Sequence, residues 1–318
     1  MLKNQENPKQ KCNSQKSLIH LSLLNFEEIQ NIFSTALKFK MNFESIQAQK
    51  KSSGIISLLF FENSSRTRIS FEMAAKNLGL NTILLDAQSG SSLHKGESLE
   101  DTILNVAAME PRALVVRSGD DLNMDEISKK ISVPIINAGW GKRGHPSQAL
   151  LDLFTIQQEK PLQGFKLLIV GDILHSRVAF SHFEICQKLG VEIAGCGPES
   201  FKPTERDLAQ VSQKNIKWFD NIEDALTWCD GVMALRVQTE RHQDKAKFDI
   251  LNYKKKFGIN KENLRHLRSD GLLLHPGPVN WGVELDFNIV SDSRVRILKQ
   301  VNNGLFIRMA LLDLYTLI

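Results

Sequence analysis

The sequence predicts an α/β protein of two parallel-sheet domains, with a cleft between them and a C-terminal helix that packs back on the first domain. Three observations carry this reading. The chain has 318 residues, too many for one core of ordinary size and suited to two domains of about 150 residues each. Short apolar runs alternate with stretches of helical spacing on both sides of a break at Pro161-Leu-Gln-Gly164, the pattern of parallel strands covered by helices. An apolar amphipathic stretch over residues 303–317 closes the chain. The composition, 42% hydrophobic and 24% charged, supplies apolar surface for both cores and excludes a disordered chain.

The elements follow in order. After a polar, lysine-rich tail over residues 1–16, Leu23, Phe26, Ile29, Ile32, Phe33, Ala36 and Leu37 recur at helical spacing, and Asn25 ahead of Glu27 and Glu28 is a suitable N-cap. Residues 54–61 are a short apolar run, as expected of a strand buried on both faces, and lead through Glu62-Asn-Ser-Ser into a helical pattern ending at Gly79. Residues 81–85 read as a strand, 97–109 as a helix and 113–116 as a strand. A long helix over 145–158 turns Leu150, Leu151, Leu153, Phe154 and Ile156 inward. Beyond the break, 165–170, 191–195, 216–219, 231–237 and 272–274 read as strands. Helical patterns lie at 178–189, 205–213, 223–229 and in the basic stretch 245–257. The expected division is a tail over 1–16, a first domain over 17–144 joined by the helix 300–318, and a second domain over 145–299 that includes the connecting helix.

The net charge of +4 fits a concentrated anion site as well as a nucleic-acid surface, and the total does not choose between them. Cys12, Cys186, Cys196 and Cys229 form no Cys-x-x-Cys pair and have no histidines at zinc spacing. Neither a metal site nor a disulfide framework is expected, and reduced thiols in the cytoplasm are. No stretch approaches the roughly 18 uninterrupted apolar residues of a membrane span, and the tail lacks the apolar core of a signal peptide.

The chemistry concentrates at Phe60-Phe61-Glu62-Asn63-Ser64-Ser65-Arg66-Thr67-Arg68, where an apolar strand gives way to a helix. Free backbone N–H groups, the positive end of the helix dipole, hydroxyls and guanidiniums meet there, and together they stabilise an anion such as phosphate. The glycine frame and the Gly-Lys-Ser/Thr end of a triphosphate-binding loop are absent from it.

This segment resembles the carbamoyl-phosphate loop of the aspartate and ornithine carbamoyltransferases, Ser-Thr-Arg-Thr-Arg, with Ser65 keeping the hydroxyl of the threonine. Further matches follow in the family's order: Ser91-Ser-Leu-His-Lys95, Val116-Arg117, His145-Pro-Ser-Gln148, Gly171-Asp-Ile-Leu-His-Ser-Arg177, Arg236-Val-Gln238 and His275-Pro-Gly-Pro278. The resemblance implies that Ser64, Ser65, Arg66, Thr67 and Arg117 hold the phosphate, and that His145 and Gln148 face the carbamoyl group. His145 would donate a hydrogen bond to the carbonyl oxygen as it becomes an oxyanion. Gly277 and Pro278 would offer backbone carbonyls to the carbamoyl NH2 and the attacking amine. Arg177 and Arg236 would clamp the carboxylates of aspartate, with Gln238 as a further polar contact. Lys95, in a loop that enters a neighbouring subunit's site in the family, implies a homotrimer with shared active sites. Glu62, Glu240 and Arg241 are candidates for ion pairs that hold the domains closed.

The implied reaction is attack of the neutral α-amine of L-aspartate on carbamoyl phosphate, giving N-carbamoyl-L-aspartate and phosphate, an early step of pyrimidine biosynthesis. The two substrates carry about four negative charges together, which Arg66, Lys95, Arg117, Arg177 and Arg236 can balance. Neither a metal nor an organic cofactor is implied, nor a nucleic-acid or membrane partner. An associated dihydroorotase or regulatory chain is left open. The ornithine branch would need a Ser-Met-Gly loop and a His-Cys-Leu-Pro turn, whereas this chain has Arg236-Val-Gln-Thr-Glu-Arg and His275-Pro-Gly-Pro. A dinucleotide-binding reading of Val170-Gly171-Asp172 lacks Gly-x-Gly-x-x-Gly. Trp281 and Phe180 stand where relatives commonly have arginine, and both are expected beside the site.

Overall fold

The structure is a computed structural model that describes residues 17–45, 53–86, 96–211, 213, 215–237 and 249–316. Two separate sheets organise it. The first is formed by β1 (Ile55–Phe60), β2 (Asn81–Asp86), β3 (Ala113–Ser118) and β4 (Ile135–Trp140), in the order β2-β1-β3-β4. The second is formed by β5 (Lys166–Val170), β6 (Glu192–Cys196), β7 (Lys217–Phe219), β8 (Gly231–Ala234) and β9 (Leu272–Leu274), in the order β7-β6-β5-β8-β9. Each strand pairing within them is parallel. Strands of this kind are buried on both faces, which is why β8 and β9 read as apolar runs and β1 and β3 as runs broken only by Ser57 and by the terminal Arg117 and Ser118.

The helices between the strands start where short polar side chains cap them. Asn25 accepts from the Glu28 backbone N–H while Glu28 reaches back to Asn25, a capping box that opens α1 (Phe26–Met41). The helix begins there, after a short 3-10 turn at Leu21–Leu23, rather than running through from the earlier apolar residues. α2 (Ser65–Asn77) and α3 (Leu99–Ala107) match the sequence reading apart from their ends. Two elements had no counterpart in it: α4 (Met124–Lys130) and β4. β4 is masked in the sequence by Pro134 before it and by Asn137 and Gly139 within it. Asn137 is fully buried because its amide donates to the Ile19 carbonyl and its oxygen accepts from the Gly139 N–H, partners that only the folded chain supplies.

α5 (Pro146–Gln157) is the connecting helix, and every residue from Pro146 to Ile156 is buried rather than one face alone. It is enclosed by α6 (Arg177–Ile185) and by α10 (Ile297–Thr316). The final helix therefore starts earlier than its apolar run suggested, and it packs on α1 and α2 of the first half as well as on α5. Between β6 and β9 the described residues include the shorter helices α7 (Glu205–Ala209), α8 (Ile222–Trp228) and α9 (Ile250–Phe257). One hydrophobic cluster joins residues of both halves through α5 and α10, including Phe33, Phe71, Phe154, Phe183 and Phe306. Cys186, Cys196 and Cys229 are buried free thiols within these cores, and burial raises the pKa of each. Among the described residues, no helix is long and apolar enough to cross a membrane.

Candidate active site

A cavity of about 670 Å³ lies between the carboxyl ends of the two sheets. At a strand end the chain leaves the sheet, so loop side chains and helix N-termini converge there. The loop after β1 brings Glu62, Asn63 and Ser64, and the first turn of α2 adds Ser65, Arg66, Thr67 and Ser70. Arg117 comes from the end of β3, His145 and Gln148 from the start of α5, and Ser176 and Arg177 from the start of α6. Arg236 follows β8 and His275 to Pro278 follow β9, while α10 supplies Gln300 and Arg308.

Ser64 occupies the N-cap of α2, yet its hydroxyl makes no capping hydrogen bond. The first-turn N–H groups of that helix are left to the cavity, where the helix dipole favours an anion. Two arginines face each other over this position. Arg66 on the first half and Arg236 on the second are close enough that Arg236, after burial, lowers the pKa of Arg66. An anion between them relieves the repulsion and the desolvation together. Arg68, the second arginine of the motif, is turned away and pairs with Asp86 at 2.9 Å.

Arg117 and Arg177 both reach Gly139. A Cβ there would come within 2.9 Å of Arg117 Nη1 and 3.3 Å of Arg177 Nη1, at a backbone φ of +123°. Glu62 neutralises part of this charge, accepting from Arg177 Nη2 at 2.8 Å and lying 3.7 Å from Arg117 Nε. Of the residues expected to join the halves by ion pairs, Glu62 does so, through Arg177. Arg177 Nη1 is buried and makes no hydrogen bond.

His145 is 5% exposed at the cap of α5, where its backbone N–H donates to Ser181 Oγ at 2.8 Å. Burial, then the charges of Arg117, Arg177 and Arg308, hold its pKa well below 6.5. The ring is neutral at ordinary pH, so it donates one N–H and adds no charge; its Nδ1 has no partner within the protein. Gln148 is 8% exposed and its amide donates to Asp152 Oδ1 at 2.9 Å, which leaves its carbonyl oxygen for the cavity.

The turn after β9 is fixed from behind. His275 Nδ1 accepts from the Gly277 N–H at 2.8 Å, its Nε2 lies 3.2 Å from Glu284 Oε1, and its backbone N–H donates to Gln300 Oε1 at 2.9 Å. Gly277, with φ +70°, lies under the Arg66 side chain: an added Cβ would sit 3.2 Å from Arg66 Nε.

The structure thus gathers Ser64, Ser65, Arg66, Thr67, Arg117, His145, Gln148, Arg177, Arg236, Gly277 and Pro278 around one cavity. Lys95 with its loop 91–95, Gln238, Glu240 and Arg241 lie outside the described residues. Phe180 and Trp281 follow the lining residues Val178 and Pro278 in the chain but do not themselves line this cavity. Phe180 packs edge-on against Phe183 at 5.8 Å and borders a separate pocket, and Trp281 stacks on Phe287 at 5.9 Å. Sequence reasoning missed Ser70, Ser176 and above all Arg308. Arg308 is 4% exposed, donates to Ser70 Oγ at 3.0 Å, and is driven down to about 10 in pKa by burial. The available signal was one charge inside the apolar run Leu305-Phe-Ile-Arg308-Met-Ala-Leu-Leu.

Known proteins resemble this chain in sequence and in fold. Residues 16–158 match the aspartate/ornithine carbamoyltransferase carbamoyl-P binding domain, and residues 163–315 match the Asp/Orn binding domain of the same family. The aspartate carbamoyltransferase catalytic subunit of Legionella pneumophila is 39% identical over 302 residues, covering 94% of this chain and 98% of that one. Aspartate transcarbamoylase from Trypanosoma cruzi, solved with carbamoyl aspartate and phosphate, superposes with a TM-score of 0.84 at 25% identity, covering 96% of each chain. Ornithine carbamoyltransferase from Pyrococcus furiosus superposes with a TM-score of 0.81 at 25% identity, over 95% of this chain and 97% of that one. On sequence, fold and the residues collected in the cleft, the chain belongs to the aspartate/ornithine carbamoyltransferase family.

Proposed function

We propose that the protein transfers the carbamoyl group of carbamoyl phosphate to the α-amine of L-aspartate, giving N-carbamoyl-L-aspartate and phosphate for pyrimidine biosynthesis. The observation that carries this reading is the set of arginines converging on one cleft: Arg66 and Arg117 beside the open N-terminus of α2, Arg177 and Arg236 on the opposite wall. The first pair, with Ser64, Ser65 and Thr67, suits a phosphate. The second suits the two carboxylates of aspartate, with Gln238 as a further contact by resemblance. Cations on both walls match a dianionic acceptor better than ornithine, whose side chain is itself a cation.

The neutral amine attacks the carbonyl carbon, the C–N bond forms, and the C–O bond to phosphate breaks from a tetrahedral intermediate as the departing phosphate takes the proton lost by the amine. His145, neutral and buried, donates to the oxyanion. Gln148 accepts from the carbamoyl NH2, and the carbonyls of the turn at Gly277 and Pro278 face the same NH2 and the attacking amine. Holding two substrates in contact removes several kcal/mol of barrier, and oxyanion contacts contribute roughly 3 kcal/mol more. The domains so read are 17–144 with the final helix for carbamoyl phosphate, and 145–299 for aspartate.

The working unit is a cytoplasmic homotrimer in which Lys95 serves a neighbouring subunit's site. The resemblance of the 91–95 segment supports this, as does the edge strand β2, whose Ile83 and Leu84 are 57% and 42% exposed and ask for cover. The decisive assay supplies carbamoyl phosphate with aspartate or with ornithine. Aspartate should be carbamoylated; carbamoylation of ornithine alone would overturn the reading.

A further inference from the structure

Behind Gln148, out of reach of the cavity, two ionisable side chains are buried against each other: Asp152 on α5, 1% exposed, and His182 on α6, fully buried. Asp152 Oδ1 accepts from the amides of Gln148 at 2.9 Å and Gln300 at 2.7 Å. Its Oδ2 makes no hydrogen bond and faces His182 Nε2, which also makes none, across 3.5 Å.

The tautomer of His182 follows from its other nitrogen. Nδ1 lies 2.8 Å from the Val178 carbonyl oxygen, which only accepts, so Nδ1 carries hydrogen. In a neutral ring Nε2 is then a bare lone pair. A carboxylate oxygen facing it would set two lone pairs together, and a full ion pair would place two charges where no water reaches. One arrangement avoids both: a carboxylic acid on Oδ2 donating to a neutral Nε2. Burial acts in this direction on both partners, pushing Asp152 up to about 7 and His182 down to about 4. Of the other groups packed around the pair, Arg308 on α10 favours the carboxylate but is outweighed by burial. The Cys186 thiol at the end of α6 is itself held protonated by burial.

We propose that Asp152 and His182 are a proton-sharing positioning pair, in which a neutral Asp152 carboxyl anchored on His182 presents Oδ1 as the acceptor that orients Gln148 and Gln300. Gln148, held by its NH2, must turn its carbonyl oxygen to the cavity. Gln300, held the same way, must turn its own to the His275 N–H at the start of the Gly277 turn. One buried acceptor, Asp152 Oδ1, thus sets the polarity of both groups that face the carbamoyl NH2. This inference rests on the carbamoyl-transfer reading for what the two groups do, though not for the state of the pair.

The test compares variants of the pair. Asp152→Asn keeps the shape, donates from its amide to His182 and accepts from both glutamines, so kcat should stay within about threefold of wild type. Asp152→Leu and His182→Leu should each lower kcat at least about tenfold while leaving the affinity for inorganic phosphate unchanged. Equal damage from Asp152→Asn and Asp152→Leu would show that a carboxylate is needed and would overturn the proposal. Infrared difference spectra of wild type minus Asp152→Asn, with nitrogen-15 histidine spectra, read the pair without turnover. A protonated carboxyl band and a neutral His182 protonated on Nδ1 are expected. Absence of that band overturns the pair even if aspartate is carbamoylated, and its presence supports the pair even if the leucine variants do not fold.

Discussion

Arg177 Nη2 donates to Glu62 Oε2 across 2.8 Å, tying the first turn of α6 to the loop after β1 and so one half of the molecule to the other. The side chains are 10% and 29% exposed, so the contact is partly desolvated and worth more than a surface pair. Glu62→Ala should raise the aspartate KM about tenfold, the cost of one charge-assisted hydrogen bond. Carbamoyl-phosphate affinity should change much less. Steady-state kinetics with each substrate varied in turn would check this, and an unchanged aspartate requirement would count against Arg177 as an aspartate clamp.

Gly139 predicts a steric lesion without loss of any functional group. An added methyl would enter within 2.9 Å of Arg117 Nη1, at a φ of +123° that side chains rarely adopt. Gly139→Ala should therefore displace Arg117 and weaken carbamoyl-phosphate binding at least about tenfold, with some loss of thermal stability from backbone strain of about 1–3 kcal/mol. Calorimetric titration with carbamoyl phosphate and a thermal melt separate the two effects.

Arg66→Ala should abolish turnover while the fold survives, because Arg66 is exposed at the start of α2 and packs no core. Arg236→Ala should raise the aspartate requirement far more than the carbamoyl-phosphate requirement. Equal effects on both substrates would refute the division into two half-sites.

Acid should destabilise the protein before carboxylates of ordinary pKa titrate. His145 and His275 are 5% and 2% exposed and burial lowers both pKa values, so the unfolded chain binds protons there that the folded one does not. Stability is then present above the ordinary value of 6.5 and is lost as pH falls below it, by up to about 1.4 kcal/mol per group for each pH unit. His182 acts in the same sense, but Asp152, whose pKa is raised, acts in the opposite one over the same range. Urea midpoints should fall steadily between pH 6.5 and 5, and a flat profile would contradict neutral buried imidazoles.

Mixing two inactive proteins tests the shared site. If the unit is the proposed homotrimer, Lys95→Ala and Arg66→Ala proteins should each be nearly dead, yet mixed trimers would contain sites with wild-type Arg66 from one chain and wild-type Lys95 from its neighbour. Activity should return on reassembly. If mixed trimers form by mass spectrometry and no activity returns, Lys95 does not serve a neighbour.

The sequence by itself determined the alternation of buried strands and helices, because parallel strands and amphipathic helices are written in local apolar spacing. It also made Ser64 to Thr67 legible as an anion-binding candidate, since they are contiguous and meet at one helix start, and the structure places all four on the cavity. Tertiary structure decided what depends on distant partners. β4 was illegible because Asn137 is tolerable in a core only once Ile19 and Gly139 satisfy it. Asp152, His182 and Arg308 look like solvated polar residues in one dimension, and only the enclosure of α5 between α6 and α10 removes them from water. That loss of water, rather than residue type, raises the pKa of Asp152 and lowers those of His182 and Arg308.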